Sequence, residues 1–232
     1  MFSKQSKEIK SSGVFLRGEE LQLVTECKYL GVILDTTLSF KNHIKKLANT
    51  VKFNLKNFKQ IRSFLTLGAA RIVLHSMILS HIEYCITSWS LTTVTNLKLI
   101  ESLYKKSLKV FDQKPNSFHV CNILNKYNLL NFENFINFKY VCFIYKALHG
   151  LAPPPVSTLF KPKTSSGLRT RASSRGDCEV PHRRTTFGQN TLSVRATNIW
   201  NSLPLHIRES PTLISFRAQL KLQMKTNQSC NH

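Results

Sequence analysis

The sequence predicts a mainly α protein with a small antiparallel β element at its N-terminus, an α+β arrangement in which a helical bundle leads into a basic linker and short C-terminal helices. Three observations predict it. Two short apolar segments flank a glycine-containing turn near the start, apolar residues then recur at spacings of three and four over most of residues 40–148, and a proline run closes that periodic region. From Lys161 to about Gln189 the chain turns polar, without a clear period.

Taken in order, Gly13 to Leu16 and Leu21 to Val24 flank Arg17-Gly18-Glu19-Glu20, which reads as a β-hairpin. In the run Lys28-Tyr29-Leu30-Gly31-Val32-Ile33-Leu34-Asp35 a third strand spans Tyr29 to Leu34 and ends in a turn. Residues 40 to 61 read as a helix because Ile44, Leu47, Val51, Leu55 and Phe58 align on one face, with Ser39 placed as its N-cap. A second helix covers Gly68 to Ile82 on Ile72, Leu74, Ile78 and Leu79, and a third runs from about Thr95 to Val110 on Leu97, Ile100, Leu103, Tyr104 and Leu108.

A short helix near Phe118 to Lys126 precedes a long aromatic one from Asn131 to Leu148. There Phe132, Phe135, Ile136, Val141, Ile144 and Tyr145 are dense enough to be buried on more than one side. His149-Gly150 and Pro153-Pro154-Pro155 stop that helix, since glycine suits a left-handed cap and prolines cannot continue the ladder. From Lys161 to about Gln189 the chain carries Arg169, Arg171, Arg175, Arg183 and Arg184 among serines and threonines, which reads as a mobile linker or an arm that orders on nucleic acid. Ala196 to Trp200 and a segment begun by Ser210-Pro211, with Leu213, Ile214, Phe216 and Leu220, read as short helices. Trp200, with leucines on both sides, reads as a packing anchor.

Charge is the second signal. Lys and Arg number 33 against 12 Asp and Glu, a formal net charge of +21 that exceeds what solubility requires. Eight lysines and arginines lie between Thr36 and Ile82, with no acid among them. On the helix at 40–61, Lys45, Lys52, Lys56 and Lys59 fall within a sector of about 60°, beside the apolar stripe. A phosphate backbone is the commonest partner of such a row, because neutralised phosphates release condensed counterions; the alternative is a solvated basic face. Arg62 follows the row, and Lys105, Lys106 and Lys109 extend the positive surface on the third helix.

Other chemistries find little support. No apolar run reaches the length that spans a bilayer, and no apolar signal core follows the N-terminus, so an intracellular chain in nucleus or cytoplasm is expected. The six cysteines Cys27, Cys85, Cys121, Cys142, Cys178 and Cys230 are unpaired in spacing and expected to stay reduced. Cys178 with His182 is the least poor metal pair and falls short of a ligand set. His75 and His81 lack a nucleophile and an orienting acid, and Gly31 and Gly68 are isolated, so no phosphate loop exists.

Tyr29-Leu30-Gly31-Val32 with Asp35, Leu38-Ser39-Phe40 and His43-Ile44 is followed by Arg71, Ser80, Ile82, Tyr84 and Trp89, and then by Leu97 to Leu108. Later come Tyr145-Lys146-Ala147-Leu148-His149-Gly150, Pro153, Phe160, Arg195-Ala196, Trp200-Asn201-Ser202-Leu203-Pro204, Ile207-Arg208 and Ser215-Phe216. In order and spacing the string resembles the C-terminal part of reverse transcriptases of LINE-type non-LTR retrotransposons, the jockey-like group especially. The resemblance covers nearly the whole chain.

It implies a palm-end β remnant at 1–39, a thumb-like helical region at 40–112, an aromatic helical region at 113–160, a basic linker at 161–192 and a helical C-terminal segment at 193–232. Leu30-Gly31 would be the primer-grip-like turn. The lysine row with Arg62, Lys105, Lys106 and Lys109 would face RNA, DNA or an RNA–DNA hybrid. The Mg²⁺-binding carboxylates of the family belong to a Tyr-x-Asp-Asp hairpin that is not found here, so no cofactor and no catalysis are expected of this chain. Asp35, a lone carboxylate at a strand end, reads as a turn or helix-approach residue. A missing palm and fingers portion would be a further partner. Two alternatives stand beside this reading: a helical interaction protein that docks a partner on 131–148, and a relict frame exposing half of a former core.

Overall fold

The first reversal of the chain needs two residues with positive φ, and Arg17 (φ 54) and Gly18 (φ 88) supply them. They join β1 (Phe15–Leu16) to β2 (Glu19–Glu20), with Phe15 opposite Glu20 and Leu16 opposite Glu19. Glu19 and Glu20 are therefore strand and not turn, because the reversal is complete at Gly18. Residues 13 and 14 of the expected strand lie outside the described residues, which are 15–22, 24–163 and 176–226 of this computed structural model.

A second correction concerns the run ending at Asp35. The expected single strand is a hairpin, β3 (Glu26–Tyr29) antiparallel to β4 (Val32–Asp35), with Tyr29 opposite Val32. Gly31 at φ 85 marks the reversal. The two hairpins form separate two-stranded sheets, and the rest of the described chain is mainly helical. The observed class is the expected one: mainly α with a small antiparallel β element.

Two compact units emerge, one comprising the chain through Cys85 with Thr92–Gln113, the other Ile86–Leu91 with the chain from Lys114 onward. The β end and the helices to residue 113 thus belong to one unit, and the aromatic and C-terminal regions to the other. In the first unit β4 hands over to α1 (Lys41–Ile61) through Asp35. Its carboxylate accepts from the amides of Thr37 (3.0 Å), Ser39 (3.0 Å) and Phe40 (2.9 Å) and from the hydroxyls of Thr37 (2.5 Å) and Ser39 (3.0 Å). Phe40, in the left-handed region at φ 56, occupies the N-cap position expected for Ser39. Ser39 Oγ instead accepts from Lys41 N at 3.3 Å.

Helix α1 buries Ile44, Leu47, Ala48, Val51 and Phe58 and packs on α5 (Val94–Phe111), which turns in Ile100, Leu103, Tyr104, Leu108 and Phe111. Between them the chain makes a 3-10 turn (Arg62–Phe64), α2 (Leu67–Leu74), a π turn (His75–Leu79) and α3 (Ser80–Glu83). The helix expected over Gly68 to Ile82 is therefore continuous in path and interrupted in hydrogen bonding. Asn54 donates its side-chain amide to Met77 O at 2.6 Å, anchoring α1 to the π turn. Caps that the periodicity does not show start α2 and α5: Thr66 Oγ1 accepts from Ala69 N at 3.3 Å, and Thr93 Oγ1 from Asn96 N at 3.5 Å.

The second unit is organised around α7 (Phe132–Leu148), whose buried residues include Phe132, Ile136, Phe138, Tyr140, Val141, Ile144 and Tyr145. At about 100° per residue these point around the whole circumference, as the aromatic density predicts. Asn131 caps the helix through Asn134 N (2.8 Å). Against it pack α4 (Ile86–Trp89), α8 (Pro154–Ser157), α10 (Leu192–Ser202) and α12 (Leu213–Thr226), and the unit also holds α6 (Val120–Lys126), α9 (Thr186–Gln189) and α11 (Leu205–Arg208). Tyr145 stacks on Phe216 with centroids 4.2 Å apart and donates its hydroxyl to Ser210 O at 2.8 Å. Trp200, buried and 5.9 Å from the Phe216 ring, is the packing anchor that its leucine neighbours predict. Helix α12 is capped by Thr212, whose Oγ1 accepts from Ser215 N at 3.2 Å, and not by Ser210-Pro211.

The segment expected to be a linker has a structured base. Pro162 bridges Cys178, Asn201 exchanges hydrogen bonds with the Cys178 backbone (2.8 and 2.9 Å), and Asp177 pairs with Arg208 at 2.9 Å, both side chains buried. Arg169, Arg171 and Arg175 lie outside the described residues, while Arg183 and Arg184 are exposed. Cys27, Cys85, Cys142 and Cys178 are free thiols, as expected. Cys121 departs from that expectation and is disulfide-bonded.

Candidate nucleic-acid interface

One side of α1 is core, which leaves the other side to solvent. Lys45, Lys52, Lys56 and Lys59 are all exposed on that outer side. Lys41, four residues before Lys45 and also exposed, falls in the same sector of about 60° and was not included by the sequence reading. It sits at the helix start, ahead of Ile44, the first residue of the apolar stripe. From Lys41 to Lys59 the row rises about 27 Å along the axis. That length matches roughly eight nucleotide steps at 3.4 Å each. Lys46 is exposed as well, set off from the row by about 100°.

Among the described residues none of these lysines has a carboxylate partner. The reason is local composition: no acid occurs from Thr36 to Ile82. Ammonium groups this close repel one another, and a polyanion relieves that repulsion.

Arg62 does not belong to the row. Its side chain is 8% exposed, Nε donates to Phe111 O at 2.7 Å, Nη1 donates to Leu65 O at 3.1 Å, and the guanidinium lies 5.8 Å from the Phe111 ring centroid. Arg62 fastens the end of α1 to the end of α5. The helix ends just before it, so a continued helical projection misplaces it.

On α5 the structure divides the expected trio. Lys106 is exposed, Lys109 is half-buried, and Lys105 forms an ion pair with Glu101 at 2.6 Å, the i,i+4 arrangement with the acid N-terminal. Lys98, exposed and seven residues before Lys105, shares the face of Lys105 and Lys109 and was not included by the sequence reading. The α5 face is thus partly neutralised where the α1 row is not.

Leu30 and Gly31 form the two-residue turn between β3 and β4. Leu30 takes φ 45, a left-handed conformation that a branched side chain rarely adopts, and is 72% exposed. Tyr84 holds the turn: its hydroxyl donates to Leu30 O at 2.5 Å, and a Cβ on Gly31 would meet its ring at 3.4 Å. The phenol of Tyr84 is pushed to a higher pKa by neighbouring Cys85 and by partial desolvation. His43 ties the same hairpin to α1, its Nδ1 accepting from Ile33 N at 3.4 Å. Burial and the nearby Lys46 charge lower the His43 pKa, which favours this neutral acceptor.

Desolvation pulls the Asp35 carboxyl upward, but hydrogen bonds from the Thr37 and Ser39 side chains and amides outweigh it and leave its pKa lowered. Those bonds occupy both oxygens in shaping the approach to α1, the turn role the sequence reading gave it. Cys178 is buried and its thiol is pushed up to about 11 by desolvation, whereas His182 is exposed. Among the described residues no group of three or more His, Cys, Asp or Glu is placed to hold a metal ion. His75 and His81 are surface residues, and an open depression beside the π turn is lined by Arg71, Ile72, His75 and Ser76. No described helix is long and apolar enough to cross a membrane. No family model, curated protein or solved structure matches the chain.

Proposed function

We propose that the chain is a nucleic-acid-binding fragment of a non-LTR retrotransposon reverse transcriptase, comprising its palm end, thumb-like and C-terminal regions and lacking the polymerising site. The unopposed lysine row of α1 carries this reading: five exposed ammonium groups in one sector with no acid to answer them. Its ligand is the phosphate backbone of RNA, DNA or their hybrid, with Lys98, Lys106 and Lys109 as weaker additions. Sequence preference is not expected, since ammonium groups facing phosphates position a duplex without reading its bases. The strained, exposed Leu30-Gly31 turn supports an apolar contact near a primer end.

Association constants for a labelled hybrid, measured across salt, test the reading. Wild type should lose affinity linearly in log–log form, and Lys52→Glu with Lys56→Glu should flatten the slope by about 0.9 for each contact removed. An unchanged slope removes these lysines from the interface. Primer extension with Mg²⁺ or Mn²⁺ should give no product; template-dependent synthesis would refute the non-catalytic assignment.

The β end favours a second partner. Every residue of β1, β2 and β3 is exposed, Phe15, Leu16 and Tyr29 among them. A covering palm and fingers portion fits that surface. The alternative in which residues 131–148 dock a protein loses its support, because α7 is wrapped by its own unit.

A further inference from the structure

Phenylalanine is the wrong residue for the outer face of α1. Phe53 is 65% exposed, about 80° from the Lys52 and Lys56 directions on average and turned away from the buried stripe. Its neighbours three and four residues away are Thr50, Asn49, Lys56 and Asn57, all polar, so no i,i+4 apolar pair explains it. Among the described residues its ring makes no aromatic or cation–π contact, in contrast to Phe111, Phe118, Phe135 and Phe138, each of which has a cation over its face. Lys46 and the amides of Asn49 and Asn57 border it, while the lysine row runs alongside.

An aromatic ring presented beside ammonium groups is the pairing that grips unpaired nucleotides: the cations follow the backbone, and the ring stacks on a base whichever base it is. In a paired duplex the base faces are covered by their neighbours and the ring has nothing to stack on. We propose that Phe53 is a stacking platform, so that α1 takes a single-stranded segment of RNA or DNA, with Asn49 and Asn57 offering amide groups to the exposed base edge or a 2′-hydroxyl. This rests on the nucleic-acid reading of the lysine row and adds what that row alone does not give, a preference for unpaired bases.

The test compares wild type, Phe53→Ala, Phe53→Leu and Phe53→Trp on three labelled probes at fixed salt: single-stranded DNA of about 12 nucleotides, RNA of the same sequence, and the blunt hybrid of the two. Phe53→Ala and Phe53→Leu should weaken single-strand binding by about 5- to 100-fold and leave the salt slope and the blunt hybrid unchanged. Phe53→Trp should retain wild-type affinity, and its added indole should be quenched on binding, Trp89 and Trp200 being buried. A melting temperature equal to wild type shows each variant folded, as expected for an exposed site. Single-strand binding that Phe53→Ala leaves intact, or that falls equally on the blunt hybrid, overturns the platform while the lysine row stands. Wild-type failure to bind any probe overturns both.

Discussion

Among the described residues α1 and α7 are the longest helices of their units, and they spend their circumference in opposite ways. On α7 bulky apolar and aromatic residues point in every direction, and the cations nearby find rings: Arg217 lies 5.8 Å from Phe138, Arg195 5.5 Å from Tyr140 and Lys139 5.4 Å from Phe135. On α1 one stripe meets the core and the flank beside it carries lysines that, among the described residues, have neither acid nor ring to answer them. The contrast separates two kinds of positive charge. Cations around α7 are absorbed by the fold, whereas those on α1 are left to solvent.

That difference can be broken at graded cost. The largest effect belongs to the core helix: Tyr145→Ala removes the stack on Phe216 and the bond to Ser210 O, and should cost about 3–5 kcal/mol in a denaturant melt. A loss below 1 kcal/mol would show that α7 is less enclosed than its burial indicates. Close behind is Arg208→Met, which strands the Asp177 carboxylate in a buried site and should cost about 3 kcal/mol, while the double change with Asp177→Leu should recover most of it.

On the α1 side the effects are smaller and depend on pH. Asp35→Asn discards a charged acceptor of five donors at the helix approach and should cost about 1–2 kcal/mol at neutral pH. Because the folded-state pKa of Asp35 is lowered from 3.8, its contribution is complete above that value and is lost as pH falls through the depressed one. Equal losses for the variant at pH 7 and at pH 2 would contradict the carboxylate's role. His43 has the same sign for another reason: its pKa is lowered from 6.5, so the stabilising neutral form is complete above 6.5 and stability falls as acidification charges the unfolded chain first. His43→Gln should flatten the melting-temperature profile between pH 7 and pH 5. The smallest effect is a gain, since Leu30→Gly relieves a left-handed leucine and should stabilise by up to about 1 kcal/mol.

The helices were legible because periodicity reports burial, and burial decides them. The Ile44, Val51 and Phe58 face and the dense ring of α7 could be read directly from spacing. Reversals were less legible. A leucine at φ 45 obeys no turn preference, so Leu30-Gly31 looks like the middle of a strand, and the Tyr84 hydroxyl that holds the turn comes from far along the chain. Arg62 misleads because charge is visible in sequence and burial of a charge is not; the Phe111 carbonyl at the end of α5 and the local Leu65 carbonyl satisfy it. Asp177 was hidden in an arginine-rich stretch for the same reason, its partner Arg208 being supplied by tertiary packing. Lys41 and Lys98 were readable, since helical projection alone places them on the basic faces.

The most direct test of the unanswered charge on α1 is fluorescence anisotropy with a labelled RNA–DNA hybrid, titrated across salt, for wild type and for the variant with Lys45, Lys52, Lys56 and Lys59 all changed to Glu. Saturable binding that tightens as salt falls, and that the folded variant loses, is the predicted result; equal binding by both proteins would mean that the α1 lysines are surface composition and not an interface.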